Sequence, residues 1–162
     1  MLTSGSRTKR DHCAALRPTM DNYSEDLYNL DRFVEAQKPV YARVCSELAQ
    51  GFKKTHWIWF IFPQITGLSS SPTSRKFSIS SLDEATAYLS HLILGPRLIE
   101  CTNLVNNVTG KTINEILGSI DSLKFRSSMT LFSHATIENQ LFKEALQKYF
   151  SGQYDQLTLD RL

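Results

Sequence analysis

Six consecutive large apolar residues, Trp57-Ile58-Trp59-Phe60-Ile61-Phe62, constrain this chain more than any other feature. Such a run cannot be left in water, so a core has to form around it. It is far too short to cross a membrane. Periodicity alone does not separate a buried strand from a helix buried on all sides. No other stretch alternates with a period of two between hairpin turns, so a strand here would lack a partner. A buried helix or helix-like turn is therefore expected. His56 precedes the run and Pro63-Gln64 follows it, which puts polar groups at both ends of an apolar wall.

The rest of the body reads as short helices. Leu27, Leu30, Phe33 and Val34 share one helical face, and Pro39 suits the first turn of a second helix bearing Val40, Val44 and Leu48 and stopping at Gly51. Ser81 and Glu84 have capping-box spacing ahead of Leu82, Ala85, Leu89 and Leu92. Gly95-Pro96 divides that helix from one carrying Leu98, Cys101, Val105 and Val108. Thr112 and Glu115 make a second capping box, and the helix they open ends near Gly118. A helix over 120–133 has the weakest pattern. Thr136 is expected to cap a helix with Phe142, Ala145, Leu146 and Tyr149 inward, and Asp155 to cap a last turn. Residues 65–80 read as a long Ser/Thr-rich loop, a kind of segment that often carries function. The expected fold is all-α, a single compact domain of about six to eight short helices over 23–162, preceded by a disordered tail over 1–22.

Charge narrows the function. The net charge of the 162 residues is +2. Residues 1–20 hold Arg7, Lys9, Arg10 and Arg17 against Asp11, a net +3, which leaves 14 basic and 15 acidic residues, a net −1, in the remainder. A near-neutral body argues against nucleic-acid binding, which rests on phosphate contacts. The Arg-rich, acid-poor start also fits an organelle-targeting peptide, and Met20 fits an alternative start. Cys13, Cys45 and Cys101 form no Cys-x-x-Cys pair, and the four histidines have no ligand spacing. The expectation is a cytoplasmic protein in a reducing compartment, without metal, cofactor or membrane contact.

Several blocks carry a family resemblance. They are Gln37, then His56-Trp57-x-Trp59-Phe60-x-Phe62-Pro63-Gln64-x-x-Gly67-Leu68, then Leu82-Asp83-Glu84-Ala85-x-x-Tyr88-Leu89, Leu94-Gly95-x-Arg97-Leu98, and Asp121-x-x-Lys124-x-x-Ser127-Ser128-Met129-Thr130-Leu131-Phe132. Together they resemble the domain-of-unknown-function 1810 family over about residues 27–162. The resemblance implies a compact, mainly helical domain and no established activity. Some relatives are labelled calpastatin-like, but nothing in this chain supports protease inhibition. Ser69 and Leu92 depart from the family pattern, at positions where relatives often have glycine and proline.

Three groups of residues are candidates for chemistry. His56, beside an aromatic wall, is a candidate acid or base. The tryptophans, Trp57 and Trp59, could stack a planar ligand, and Gln64 offers an amide that donates and accepts. Asp121, Lys124, Arg126, Ser127, Ser128 and Thr130 combine hydroxyls and cations suited to phosphate or carboxylate. Their plainer explanation is an Asp121–Lys124 ion pair on a helix surface. Arg75 and Lys76, in the Ser-rich loop, could close over an anion. Glu84 has a structural explanation as a capping residue. The leading expectation is a domain that binds, or acts on, a small anionic or nucleotide-like metabolite. The alternative is a non-catalytic protein-interaction domain with an apolar helical groove.

Overall fold

The computed structural model describes residues 26–162, so the expectations for the tail, the targeting peptide, Met20 and Cys13 lie outside the described residues. The chain is all-α. Among the described residues the ten helices are α1 Asp31–Gln37, α2 Tyr41–Ala49, α3 Ile58–Ile61, α4 Pro72–Lys76, α5 Leu82–Ser90, α6 Leu94–Asn106, α7 Ile113–Leu117, α8 Ser119–Ala135, α9 Gln140–Phe150 and α10 Gln156–Leu159. The number exceeds six to eight because α3, α4, α7 and α10 are single turns of four or five residues. Among the described residues the only β pairing is an isolated parallel bridge between Ile65 and Ile79.

The fold is organised around α8. This 17-residue helix packs against α3, α5, α7, α9 and α10. All seven residues from Ser127 to Ser133 are buried. A stretch enclosed on every side needs no apolar stripe, which is why periodicity marks residues 127–133 so weakly. Three of the four hydroxyls in this stretch are satisfied within the helix. Ser127 donates to the Leu123 carbonyl at 3.1 Å, Thr130 to Arg126 at 2.9 Å and Ser133 to Thr130 at 2.8 Å. Two of them also reach outward. Thr130 Oγ1 accepts the Asp155 N–H at 2.9 Å, and Ser127 Oγ lies 3.2 Å from the Asp155 carboxylate. Asp155 in turn accepts the Thr158 N–H and hydroxyl, capping α10 and seating it on α8.

The caps at Thr112, Asp155 and Gly118 form as expected. Thr112 and Glu115 satisfy one another's backbone N–H groups, and Gly118 takes a left-handed φ of 88° between α7 and α8. Other elements differ from expectation. Leu92 is 91 % exposed, because α5 ends at Ser90 and the chain turns before Leu92 can rejoin the apolar face. Tyr88 is buried on that face, with Leu82 and Leu89 only half-buried. Leu27 lies before α1 and is 77 % exposed. Pro39 sits in the turn ahead of α2, not inside its first turn. Thr136 accepts the Glu138 N–H, and the residue preceding α9 is Asn139. The 65–80 loop contains α4, opened by Pro72 and capped by Ser71, a start signal inside the Ser-rich stretch.

Two local constraints fix how the layers meet. At Gly95 an added Cβ would stand 2.1 Å from the Leu89 carbonyl oxygen, so only glycine lets α6 start against the end of α5. Arg32 uses all five guanidinium N–H donors. Nε donates to Lys76 O at 2.8 Å, Nη1 to Tyr28 O at 2.6 Å and Asn29 O at 2.8 Å, and Nη2 to Ser78 O at 2.8 Å and to Glu84 at 2.7 Å. The other Glu84 oxygen accepts the Ser80 N–H and hydroxyl. Glu84 therefore does not return to Ser81 as a capping box would. It is a buried anion that joins α1, the α4–α5 segment and α5.

Removing one member of such a pair leaves the other charge buried. Glu84→Ala and Arg32→Ala are each expected to lower stability by about 3 kcal/mol, and Arg32→Lys to recover little of it, because an ammonium cannot fork to five acceptors. Urea unfolding of the three variants checks this, and losses under about 0.5 kcal/mol would remove Arg32 as a structural tie. Gly95→Ala is expected to cost about 1–3 kcal/mol through overpacking in the same assay.

Candidate functional site

The aromatic run supplies the floor of the site. In α3 the spacing of about 100° per residue turns Ile58, Ile61 and Phe62 inward, and Trp59 and Phe60 to the other side. Trp57, just before the helix, is 1 % exposed, whereas Trp59 and Phe60 are half-buried. The Trp57 indole N–H donates to Glu47 at 2.6 Å, and the Thr55 hydroxyl donates to the same carboxylate at 2.9 Å. Burial alone would raise the Glu47 pKa. The indole, the hydroxyl and the N–H groups of Lys54 and Thr55 outweigh it and hold the carboxyl below its ordinary value. Trp57 is thus committed to the core, and Trp59 is the tryptophan whose ring reaches the surface.

Cations flank both indoles. Lys53 Nζ lies 5.0 Å from the Trp57 ring centroid, and Lys124 Nζ lies 5.2 Å from that of Trp59. Both lysines pair with Asp121, at 2.9 Å for Lys53 and 3.2 Å for Lys124. One carboxylate is shared by two ammonium groups, so Asp121 neutralises only one of them. The segments 57–64 and 121–124 therefore meet at Trp59.

On the other side Trp59 lines a small cleft of about 20 Å³ with Gln64, Thr66, Leu68, Ser69 and Arg75. The Ile65–Ile79 bridge closes the neck of the loop above it. Ile79 N–H donates to Gln64 O and Thr66 N–H to Ile79 O, each at 2.8 Å. The Gln64 side-chain amide and the Arg75 guanidinium have no hydrogen-bond partner among the described residues. Gly67, on the rim, has φ 92°, and its carbonyl accepts from Arg161 Nη2 at 3.3 Å. No carboxylate lines this cleft.

The other sequence candidates lie elsewhere. His56 is exposed and does not line the cleft. Lys76 borders a separate open depression with Tyr28, Arg32 and Glu84, its ammonium 5.2 Å from the Phe77 ring centroid. Arg126 donates to Gln153 O at 3.1 Å and Tyr154 O at 2.9 Å, which ties down the segment before α10. Ser127 and Thr130 are engaged with Asp155, and Ser128 is fully buried without a partner for its hydroxyl. Sequence reasoning raised both tryptophans without separating them, and it missed Lys53 and Arg161. A six-residue apolar run contains no polar residue to phase it, so it does not show which indole faces out. Lys53 and Arg161 belong to no local pattern.

A second buried polar cluster joins α1, α2, α5 and α6. Gln37 Nε2 donates to Phe60 O at 2.7 Å and to the Tyr88 hydroxyl at 3.1 Å, while its Oε1 accepts from Arg97 at 3.3 Å. The Arg97 guanidinium lies 4.5 Å from the Tyr41 ring centroid, and the Tyr41 hydroxyl donates to Glu100. Burial raises the pKa of Tyr41, Tyr88 and Cys101, so all three stay protonated at neutral pH. This cluster fixes the Phe60 carbonyl and hence the back of α3.

Glu47 underlies the whole floor and carries a pH signature. A carboxyl held below its unfolded value contributes stability that is complete above that value, 4.5, and is lost as pH falls from there through the folded value. Glu47→Gln is expected to lose about 1–2 kcal/mol at pH 7. The gap between parent and variant should narrow below about pH 4.5. Chemical unfolding from pH 7 to pH 3 checks both, and a gap independent of pH would remove the assignment.

Comparison with known proteins gives a family and a fold. The model of a protein family of unknown function, DUF1810, matches residues 27–162. Comparison with curated proteins returns no match. The crystal structure of the conserved hypothetical protein Rv1873 from Mycobacterium tuberculosis is similar, with 55 % sequence identity and a TM-score of 0.84. The likeness covers 85 % of this chain and 98 % of that one. The chain belongs to the DUF1810 family.

Proposed function

We propose that the chain binds a small, planar, anionic metabolite of nucleotide-like type at Trp59. The observation that carries this reading is the position of that ring. One half-buried indole is shared by a cleft containing Gln64 and Arg75 and by the incompletely neutralised pair Lys124 and Asp121. An exposed aromatic face stacks a planar ring. The unpartnered Gln64 amide donates and accepts at one edge, as a heterocycle requires. Lys124 and Arg75 supply positive charge on two sides. Arg126, Ser127 and Thr130 act indirectly in this reading, since they seat α10 and through it Arg161 on the rim. His56 stands outside it, and the proposal is for binding without an assigned reaction.

An interaction domain is the alternative. Ile120 and Leu123, one turn apart on α8 beside Lys124, are 72 % and 61 % exposed. They favour an apolar partner, but as a short patch and not as a groove.

Tryptophan emission separates the readings, because Trp57 is buried and Trp59 is not. A panel of nucleotides, sugar phosphates and ADP-ribose derivatives should contain a ligand that quenches emission saturably and raises the melting temperature. Trp59→Leu should weaken it by about 1–3 kcal/mol. Gln64→Ala and Lys124→Ala should weaken it as well, and His56→Ala should leave it unchanged. A ligand that binds all three weakened variants like the parent would sink this site.

A further inference from the structure

We propose that the loop over residues 66–75 is a subsite for one tetrahedral oxyanion of the phosphate class, held in place by Arg161. This rests on the reading of the Trp59 cleft as a ligand site and adds which chemical group enters it.

The loop gathers hydrogen-bond donors that lack acceptors. Ser71 Oγ donates to Ser74 Oγ at 2.8 Å, and Ser74 Oγ donates to Ser69 Oγ at 2.9 Å. The three hydroxyls form one chain, which leaves the proton at one end of it, on Ser69 or Ser71, free to donate outward. The backbone N–H groups of Gly67 and Ser69 meet no acceptor among the described residues, and that of Leu68 points back into the turn over Thr66–Gly67. The left-handed φ at Gly67 turns the chain at that point, and N–H groups in such a bend can converge on an anion. The Arg75 guanidinium adds a fork without an acidic partner among the described residues. With no carboxylate in the lining, the free N–H groups, the Arg75 guanidinium and the hydroxyl at the end of the chain have no competing anion beside them.

The cleft of about 20 Å³ is too small for a whole metabolite, so one small group enters and the remainder lies outside, against Trp59. A phosphate presents several oxygens to several donors, where a planar carboxylate presents two.

The ends of the loop are pinned by the Ile65–Ile79 bridge. Its crest is held by Arg161, which donates to Gly67 O at 3.3 Å and to Leu157 O at 2.7 Å. A Cβ at Gly67 would come 3.0 Å from Arg161 Nε. Arg161 is thus a positioning residue, brought to the loop by the Asp155 cap and the α8 hydroxyls.

The test is a titration of the ¹⁵N-labelled chain with inorganic phosphate, at ionic strength held constant with sodium chloride. The Gly67 and Ser69 amide resonances should shift saturably in the millimolar range. Arg75→Gln should weaken the response by about tenfold or more. Arg161→Gln should weaken it several-fold while the Trp59 indole resonance stays in place, and His56→Ala, exposed and outside the cleft, should change it less than about twofold. The proposal is overturned if these amides do not shift, if Arg75→Gln responds like the parent, or if acetate binds more tightly than phosphate. A planar ligand that quenches Trp59 while phosphate leaves residues 67–69 untouched would remove the subsite and keep the Trp59 site. Phosphate bound at 67–69 with no ligand on Trp59 would do the reverse.

Discussion

A helical stretch enclosed on all sides has no water to satisfy its polar side chains, and residues 127–133 of α8 form such a stretch in the middle of this fold. It carries four buried serine and threonine hydroxyls between Ser127 and Ser133. Most spend their protons on carbonyls three or four residues back, a local solution that leaves their oxygens free to accept. Thr130 uses that capacity for the Asp155 N–H. The most distinctive block in the sequence therefore acts as a seat for the C-terminal turn. Because α10 brings Arg161 to Gly67, a hydroxyl-lined core helix ends up setting the rim of a surface cleft.

The floor of that cleft shows the same division between core and surface at the scale of a single turn. Trp57 and Trp59 are two residues apart, yet one is sealed against Glu47 and the other opens to the cleft. Each indole has a lysine near its ring, and the two lysines share Asp121. Burial of the Glu47 carboxylate is offset by the N–H and O–H donors it gathers. Charge and aromatic surface are thus interleaved in a small volume, from Glu47 through Trp57, Lys53, Asp121 and Lys124 to Trp59.

Much of the architecture was legible because helix ends are local chemistry. Thr112 with Glu115, Asp155, Gly51 and Gly118 mark ends or turns where the structure has them. The misjudged elements are those whose fate is set by distant contacts. Leu92 fits a helical face but the chain turns away from it, and Thr136 is a good cap that is used for a turn. The weakest helical pattern, over 120–133, belongs to α8, because 127–133 is buried on all sides and the apolar Ile120 and Leu123 ahead of it face outward. For the cleft, the apolar run located the wall but could not say which indole faces outward. Gln64, Arg75 and Lys124 stand out in the sequence for their chemistry. Arg161 has no local signal, since its place depends on how α10 docks.

Arg32 has a further consequence for how this molecule would respond to its surroundings. It holds the segment from Lys76 to Glu84 mainly through backbone carbonyls and one buried carboxylate, contacts within about 3 Å and largely out of reach of mobile ions. The scaffold behind the Ser-rich loop is therefore indifferent to ionic strength. The Arg75 guanidinium on its outer side is exposed and fully open to screening. Salt then acts on one side of a single strip of chain and not on the other, so raised ionic strength would weaken attraction to an anion without loosening the frame that presents it.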